Sequence, residues 1–520
     1  MSIIRSTVTV SFFISISRVL GFIRDILIAK YLGAGMLSDV FFASFRLPNF
    51  FRRIFAEGAF NSAFVPIFIE KNKLHHEEGV NDEKARGLDF ASNIFSILLY
   101  VLLIFVLILQ LAMPLVVKIL FPGFFADPVK SALAIDLSRI TVFYLLFISL
   151  VSLSAGILNS INKFASASSV PIVLNSTLIF FSLFVADKFQ TFAHGLAWGV
   201  FAAGILQFIW ITFFTIKAGF LLYPKMPKLD IDAKKFFRKL LPAVIGGNVM
   251  QINLLLDSIF ASAISGAVSY LYYADRINQL PLAMIGIAIS TALLPSLSRL
   301  IKSNKADEAI KLQNIGLEVA LIMAIPATIS LIIFAHPIIT TLFERGKFTS
   351  DESLLVSKAL MLYSVGLPAF ILVKIFEPAF FARGNTRTPM NISILSVAIN
   401  CFFNFLFYLF NFGYLGIIIA SIISSYINLS MLIIGSIKHN YFYFASDLFA
   451  KFKKIIVNNI ILVLSALILK QYLYEPLYFS KILSLLISIF LLLIIYFLST
   501  YLSGGLQIMV ANFVKKNNQL

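Results

Sequence analysis

Six arginines stand in stretches of sequence that are otherwise apolar: Arg18, Arg24, Arg46, Arg52, Arg53 and Arg276. Four carboxylates accompany them, Asp25, Asp39, Glu57 and Asp275. A guanidinium stays charged and offers a planar fork of donors that matches phosphate or carboxylate in two parallel hydrogen bonds. Several forks converging on one place suit a diphosphate. Local pairing competes with this reading for Arg24 with Asp25 and for Asp275 with Arg276, since neighbouring opposite charges compensate and long side chains snorkel. It does not absorb the set, because positives exceed negatives six to four. The excess asks for an anion.

The elements that must position these charges are membrane helices. The chain has 520 residues, 59% of them hydrophobic and 13% charged, with a mean hydropathy of +0.93. A soluble domain is nearer ~45–50% apolar and ~25% charged. The expected fold is therefore an all-α polytopic membrane protein, and soluble enzyme folds are excluded. Windows of about twenty apolar residues mark about fourteen spans. They run over 8–32, 38–69, 88–121, 131–160, 168–187, 190–216, 240–263, 267–298, 313–337, 352–382, 388–411, 413–437, 455–473 and 482–503. The ionisable residues within them cluster in the first, second and eighth. An arginine at the bilayer centre costs at least ~2.5–3.5 kcal/mol, so the cluster should line a water-filled cavity or pair internally. Pro48 and Gly58 should bend the second span, and spacing alone leaves open whether Arg52 or Arg53 faces inward.

The net charge of +17 reads as topology rather than as nucleic-acid binding. Lysine and arginine collect in 70–86, 217–239, 299–311 and 438–454, whereas 33–38, 263–267 and 411–415 have none. The excess of basic residues in cytoplasmic loops then puts both termini in the cytoplasm. A single cysteine, Cys401, excludes a disulfide framework, and the five histidines are scattered. No G-x-x-x-x-G-K-[ST] loop is present, so ATP-driven transport by this chain is not expected. No cleavable signal is expected either, because Arg18 and Arg24 interrupt the first apolar run.

The chain repeats faintly. "AFNSAFVPIF" (59–68) resembles "AISTALLPSL" (288–297), and "NKFASASSVPI" (162–172) resembles "GNTRTPMNI" (384–392). Both pairs lie six spans apart, which keeps orientation and points to two parallel six-helix lobes around a central cavity. The expected organisation is a first lobe over 1–219, a second over 220–440, and two extra helices with a tail over 441–520.

At this point the residues resemble a known family. "SRVLGFIRD" (17–25), "GAGMLSDVFFASFRLPNFFRRIFAEGAFNSAFVPIF" (33–68) and "YYADRINQLP" (272–281) are similar to the MurJ/MviN lipid II flippases. These belong to the multidrug/oligosaccharidyl-lipid/polysaccharide exporter superfamily. The resemblance implies transport without catalytic chemistry: lipid-linked peptidoglycan precursor crosses from the cytoplasmic to the periplasmic leaflet by alternating access. It implies that Arg18, Arg24, Arg52 and Arg276 bind the pyrophosphate, which selects Arg52 over Arg53. It implies gating or charge-pairing roles for Asp25, Asp39 and Glu57, and a groove for the prenyl tail on the last two helices. A sodium coupling ion is implied at Asp257, Asn400 and Asn404, with no other cofactor. In this chain Asn404 stands where a second carboxylate is expected. The implied location is the bacterial inner membrane. The implied partners are lipid II, membrane lipids and other cell-wall synthesis and division proteins. A flippase for another polyprenyl-diphosphate glycan, or a drug/cation antiporter of the same superfamily, is the alternative. An antiporter for cations would need an acidic cavity rather than a basic one.

Overall fold

The computed structural model describes residues 3–56, 59–73, 83–247, 249–476 and 480–504. Among them the regular structure is helix throughout. In chain order the helices are α1 (Ile3–Leu32), α2 (Met36–Ala56), α3 (Ala59–Lys73), α4 (Glu83–Leu120), α5 (Pro128–Thr141), α6 (Phe143–Ser160), α7 (Phe164–Phe184), α8 (Phe192–Lys217), α9 (Ile231–Gly247) and α10 (Val249–Ser262). There follow α11 (Ala267–Pro281), α12 (Ala288–Lys302), α13 (Ala306–Ile333), α14 (Ala335–Phe343), α15 (Ser350–Phe381), α16 (Arg387–Leu409), α17 (Gly413–Lys438), α18 (Leu448–Leu469) and α19 (Lys481–Leu502).

Eleven helical segments among the described residues are long and apolar enough to cross a membrane. They coincide with eleven of the fourteen expected spans. The other three are α1, the α2–α3 stretch and the α9–α10 stretch. These carry the charged residues: Arg18, Arg24 and Asp25 on α1, Asp39, Arg46 and Arg52 on α2, and Asp257 on α10.

Two compact units emerge. The first comprises Met1–Ser269 with Arg345–Phe348, and the second Tyr270–Glu344 with Thr349–Leu520. The packing boundary lies one span beyond the 219/220 boundary of the sequence repeat, because α9 packs on α3. Two ion pairs zip their ends together, Lys71–Asp232 and Lys235–Glu70, each at 2.8 Å. The hydrogen bond from Lys235 holds the Glu70 carboxyl below its usual range. Phe60, Phe64 and Phe68 stack up the buried face of α3 and meet Phe236 of α9 and Phe90 of α4. Part of the phenylalanine content therefore forms core rather than lipid-facing surface. Within the first unit, Gly346 sits at φ +63°, where a Cβ would lie 2.3 Å from the Lys30 carbonyl oxygen. Only glycine fits there.

One device recurs in both units. Asn93 on α4 accepts from Lys228 N–H at 2.9 Å and donates to the Lys228 carbonyl at 2.8 Å, clamping the irregular segment that precedes α9. Asn314 on α13 accepts from Ala445 N–H at 3.1 Å and donates to the Tyr443 carbonyl at 2.9 Å, clamping the segment that precedes α18. An asparagine side chain offers a donor and an acceptor side by side, so it satisfies the backbone of a strap that has no ladder of its own. By this register α18 stands to the second unit as α9 stands to the first. Hydroxyls buried in the spans return to the preceding turn, as Ser149 to Leu145 O and Ser152 to Ile148 O, both at 2.8 Å.

Candidate substrate and ion site

Arg24 is buried on α1. Its Nε and Nη2 donate to Asp25 Oδ1 at 3.0 and 2.7 Å, and its Nη1 donates to Asn175 Oδ1 at 2.9 Å. Asn175, on α7, is fixed by donating to the Ser17 carbonyl at 2.8 Å. Local pairing therefore holds for Arg24 and Asp25. Asp25 is fully buried, so the pair is a preset, hydrogen-bonded charge dipole rather than a bare cation. An incoming phosphate must share this guanidinium with Asp25 or displace it.

The other arginines differ from Arg24. Arg18 is exposed on α1. Arg52 is half-buried on α2, with Nε donating to Asn49 Oδ1 at 2.8 Å, one turn back, which fixes the direction of its fork. Arg46 is half-buried on the same helix. The Arg53 side chain and Glu57 lie outside the described residues, so the choice between Arg52 and Arg53 rests on the family motif. Asp275 and Arg276 are half-buried on α11, and Asp275 accepts from Gln279, one turn on. Arg18, Arg24 and Arg52 belong to the first unit and Arg276 to the second.

Asp39 is wholly buried at the start of α2. It accepts from Lys130 Nζ at 2.8 Å, Gly266 N–H at 2.9 Å, Ser269 N–H at 2.9 Å and Ser269 Oγ at 2.8 Å. The carboxylate thus caps the first turn of α11, where the unsatisfied amides and the positive end of the helix dipole lie. Lys130 closes the charge balance, and its ammonium also lies 4.4 Å from the Phe124 ring centre.

Asp257 on α10 is buried and accepts weakly from Asn253 Nδ2 at 3.5 Å. On α16, Asn404 Nδ2 donates to Asn400 Oδ1 at 2.7 Å, and Asn400 Nδ2 donates to Ser421 Oγ of α17 at 3.2 Å. The two amides share a face, as their spacing requires. Carboxylate and amide oxygens are the ligand type a hard cation takes. Asp257 lies in the first unit and the amides in the second.

Sequence reasoning missed several residues. Lys130, the partner of Asp39, sits at the edge of an expected span, and Asn175 is one polar residue in an apolar helix. The ionisable residues are also not confined to three spans. Glu318 is buried on α13, and Lys374 and Glu377 pair at 3.0 Å within α15. A search of every apolar span for lone carboxylates would have found Glu318; nothing local identifies its partner.

A family model described as Lipid II flippase MurJ matches residues 28–511. A probable lipid II flippase MurJ of Rhizobium meliloti (strain 1021) is 40% identical over 404 residues, covering 77% of this chain and 74% of that protein. One from Rickettsia prowazekii (strain Madrid E) is 36% identical and covers 92% of each. Among solved structures, a lipid II flippase MurJ in an inward closed conformation matches with a TM-score of 0.79 at 26% identity, covering 96% of this chain and 100% of the other. An inward-facing multidrug resistance MATE family transporter matches with a TM-score of 0.62 at 16% identity, covering 80% and 92%, which shows a shared fold. Matched over residues 28–511, this chain belongs to the MurJ family.

Proposed function

We propose that this chain flips lipid II, an undecaprenyl-diphosphate disaccharide-pentapeptide, from the cytoplasmic to the periplasmic leaflet of the bacterial inner membrane by alternating access. The family match over residues 28–511 carries the reading. The physical need is plain. A head of charges and amides cannot cross ~30 Å of hydrocarbon with its polar groups unsatisfied. The protein supplies a polar path for the head while the prenyl chain stays in lipid.

In this reading Arg18, Arg24, Arg52 and Arg276 bind the pyrophosphate, and Asp25, Asp39 and Glu57 pair with cations or govern gating. The buried bonds of Arg24 and Asp39 support those roles. Two six-helix lobes alternate, α18 and α19 carry the lipid-tail groove, and fourteen spans leave both termini cytoplasmic. Sodium at Asp257, Asn400 and Asn404 biases the lobes. No bond of the substrate is made or broken. Lipid II and membrane lipids are the partners, joined by other cell-wall synthesis and division proteins. The basic set of intramembrane side chains disfavours a cation antiporter.

The test is depletion of the protein in growing cells, followed by assay of the leaflet in which lipid-linked precursor resides. Accumulation on the cytoplasmic side is expected. Unchanged delivery to the periplasmic side would overturn the reading.

A further inference from the structure

In the second unit, a cavity of about 20 Å³ is lined by Glu318 and Ile322 of α13, Lys451, Lys454, Ile455 and Asn458 of α18, and residues of α19. It has room for one water-sized group. Glu318 is 3% exposed, and Lys451 Nζ donates to its Oε1 at 2.7 Å. Its Oε2 is buried and accepts no hydrogen bond from the described residues. A buried carboxylate oxygen without a donor is costly. Lys451 cannot readily turn to serve it, being also paired with Asp447 at 2.8 Å.

The fold does not require the acid. Glu318 follows the clamp residue Asn314 by one turn, and in the first unit the residue one turn after Asn93 is Ile97, buried in the same kind of clamp. The sister unit therefore builds the device with an aliphatic side chain. Glu318 adds a need for a donor that packing does not explain.

We infer that this cavity takes the ammonium of an ethanolamine phospholipid headgroup, with Glu318 Oε2 accepting from the amine and Lys454 facing the phosphate. The three donors of a primary ammonium suit a carboxylate oxygen in a cavity of this size. Lys454 is exposed and forms no ion pair among the described residues, so it is available to an anionic oxygen. The acyl chains find apolar surface on the same helix, where Ile456, Ile460 and Leu464 are exposed along consecutive turns. Basic residues at the start of a membrane helix sit at headgroup depth. The site is thus a bound membrane lipid on the helices expected to form the tail groove, separate from the arginine set.

Native mass spectrometry of the full-length protein, exchanged into micelles with defined lipids, tests this without reference to flipping. Phosphatidylethanolamine should be retained about tenfold better than phosphatidylcholine, whose trimethylated amine cannot donate, the ratio expected for one charge-assisted hydrogen bond. Glu318→Gln should abolish that preference while leaving phosphatidylglycerol retention unchanged, and Lys454→Ala should weaken retention of all three. Equal retention of ethanolamine and choline lipids by the unaltered protein would overturn the proposal, as would a preference that survives Glu318→Gln. Strongest retention of phosphatidylglycerol would show a plain anion site and likewise overturn it. Failure of lipid II flipping would leave these ratios unaffected, so the two readings fail separately.

Discussion

At the scale of single residues, the arginines and the local Arg24–Asp25 pair were legible in the sequence, and the distant partners were not. A guanidinium in an apolar run is visible by its cost. Its acceptor Asn175 lies 151 positions from Arg24, where no local periodicity reaches. Substituting Arg24, Arg52 or Arg276 with Ala should abolish flipping while membrane insertion persists, and Lys should restore only part of it, since a point charge lacks the fork. Full transport by the alanine variants in a leaflet assay would remove these residues from the site. Asp39 and Lys130 make a sharper case. Removing one partner of a buried pair leaves the other charge uncompensated, at about 3–5 kcal/mol. The loss should be unequal here. Asp39→Ala strands Lys130, whereas Lys130→Met leaves Asp39 with three donors from Gly266 and Ser269. Thermal unfolding should therefore show the larger drop for Asp39→Ala, and the reverse order would mean that the α11 cap contributes little.

At the scale of elements, apolar length marks eleven segments among the described residues that are long enough to cross a membrane. What the sequence could not show was the clamp, because Asn93 and Asn314 read as ordinary polar residues near helix starts. Each makes two hydrogen bonds to the backbone of its strap, at a net value of about 0.5–1.5 kcal/mol per bond. Asn93→Ala should speed hydrogen exchange at the Lys228 amide by roughly tenfold or more, while the Asn314 strap remains protected. Asn93→Asp should fall between, since it keeps the acceptor for Lys228 N–H and loses the donor to its carbonyl. Unchanged exchange in Asn93→Ala would show that ion pairing of Lys225 with Asp89 holds the strap instead.

At the scale of the whole molecule, the two compact units and the faint repeat in the sequence divide the chain at different places. They differ in where a unit ends, because packing assigns α9 and α10 to the first unit and the repeat assigns them to the second half. Asp257 sits on α10, among the helices whose assignment differs, and Asn400 and Asn404 sit on α16. An ionised carboxylate in an apolar helix must be hydrated, hydrogen-bonded or matched by a cation. If sodium supplies that match by drawing on all three side chains, it favours whichever arrangement of the units brings them to one ion, and only to the extent of that difference in affinity. Asp257→Ala should then slow export and remove the sodium dependence of conformation, read as inter-probe distances with and without sodium. Asn404→Asp, which adds a second carboxylate, should move that dependence to lower sodium concentration. Export that is insensitive to sodium yet lost in Asp257→Ala would point to proton or membrane-potential coupling through the same carboxylate. Normal export in Asp257→Ala would leave it a structural group held by Asn253.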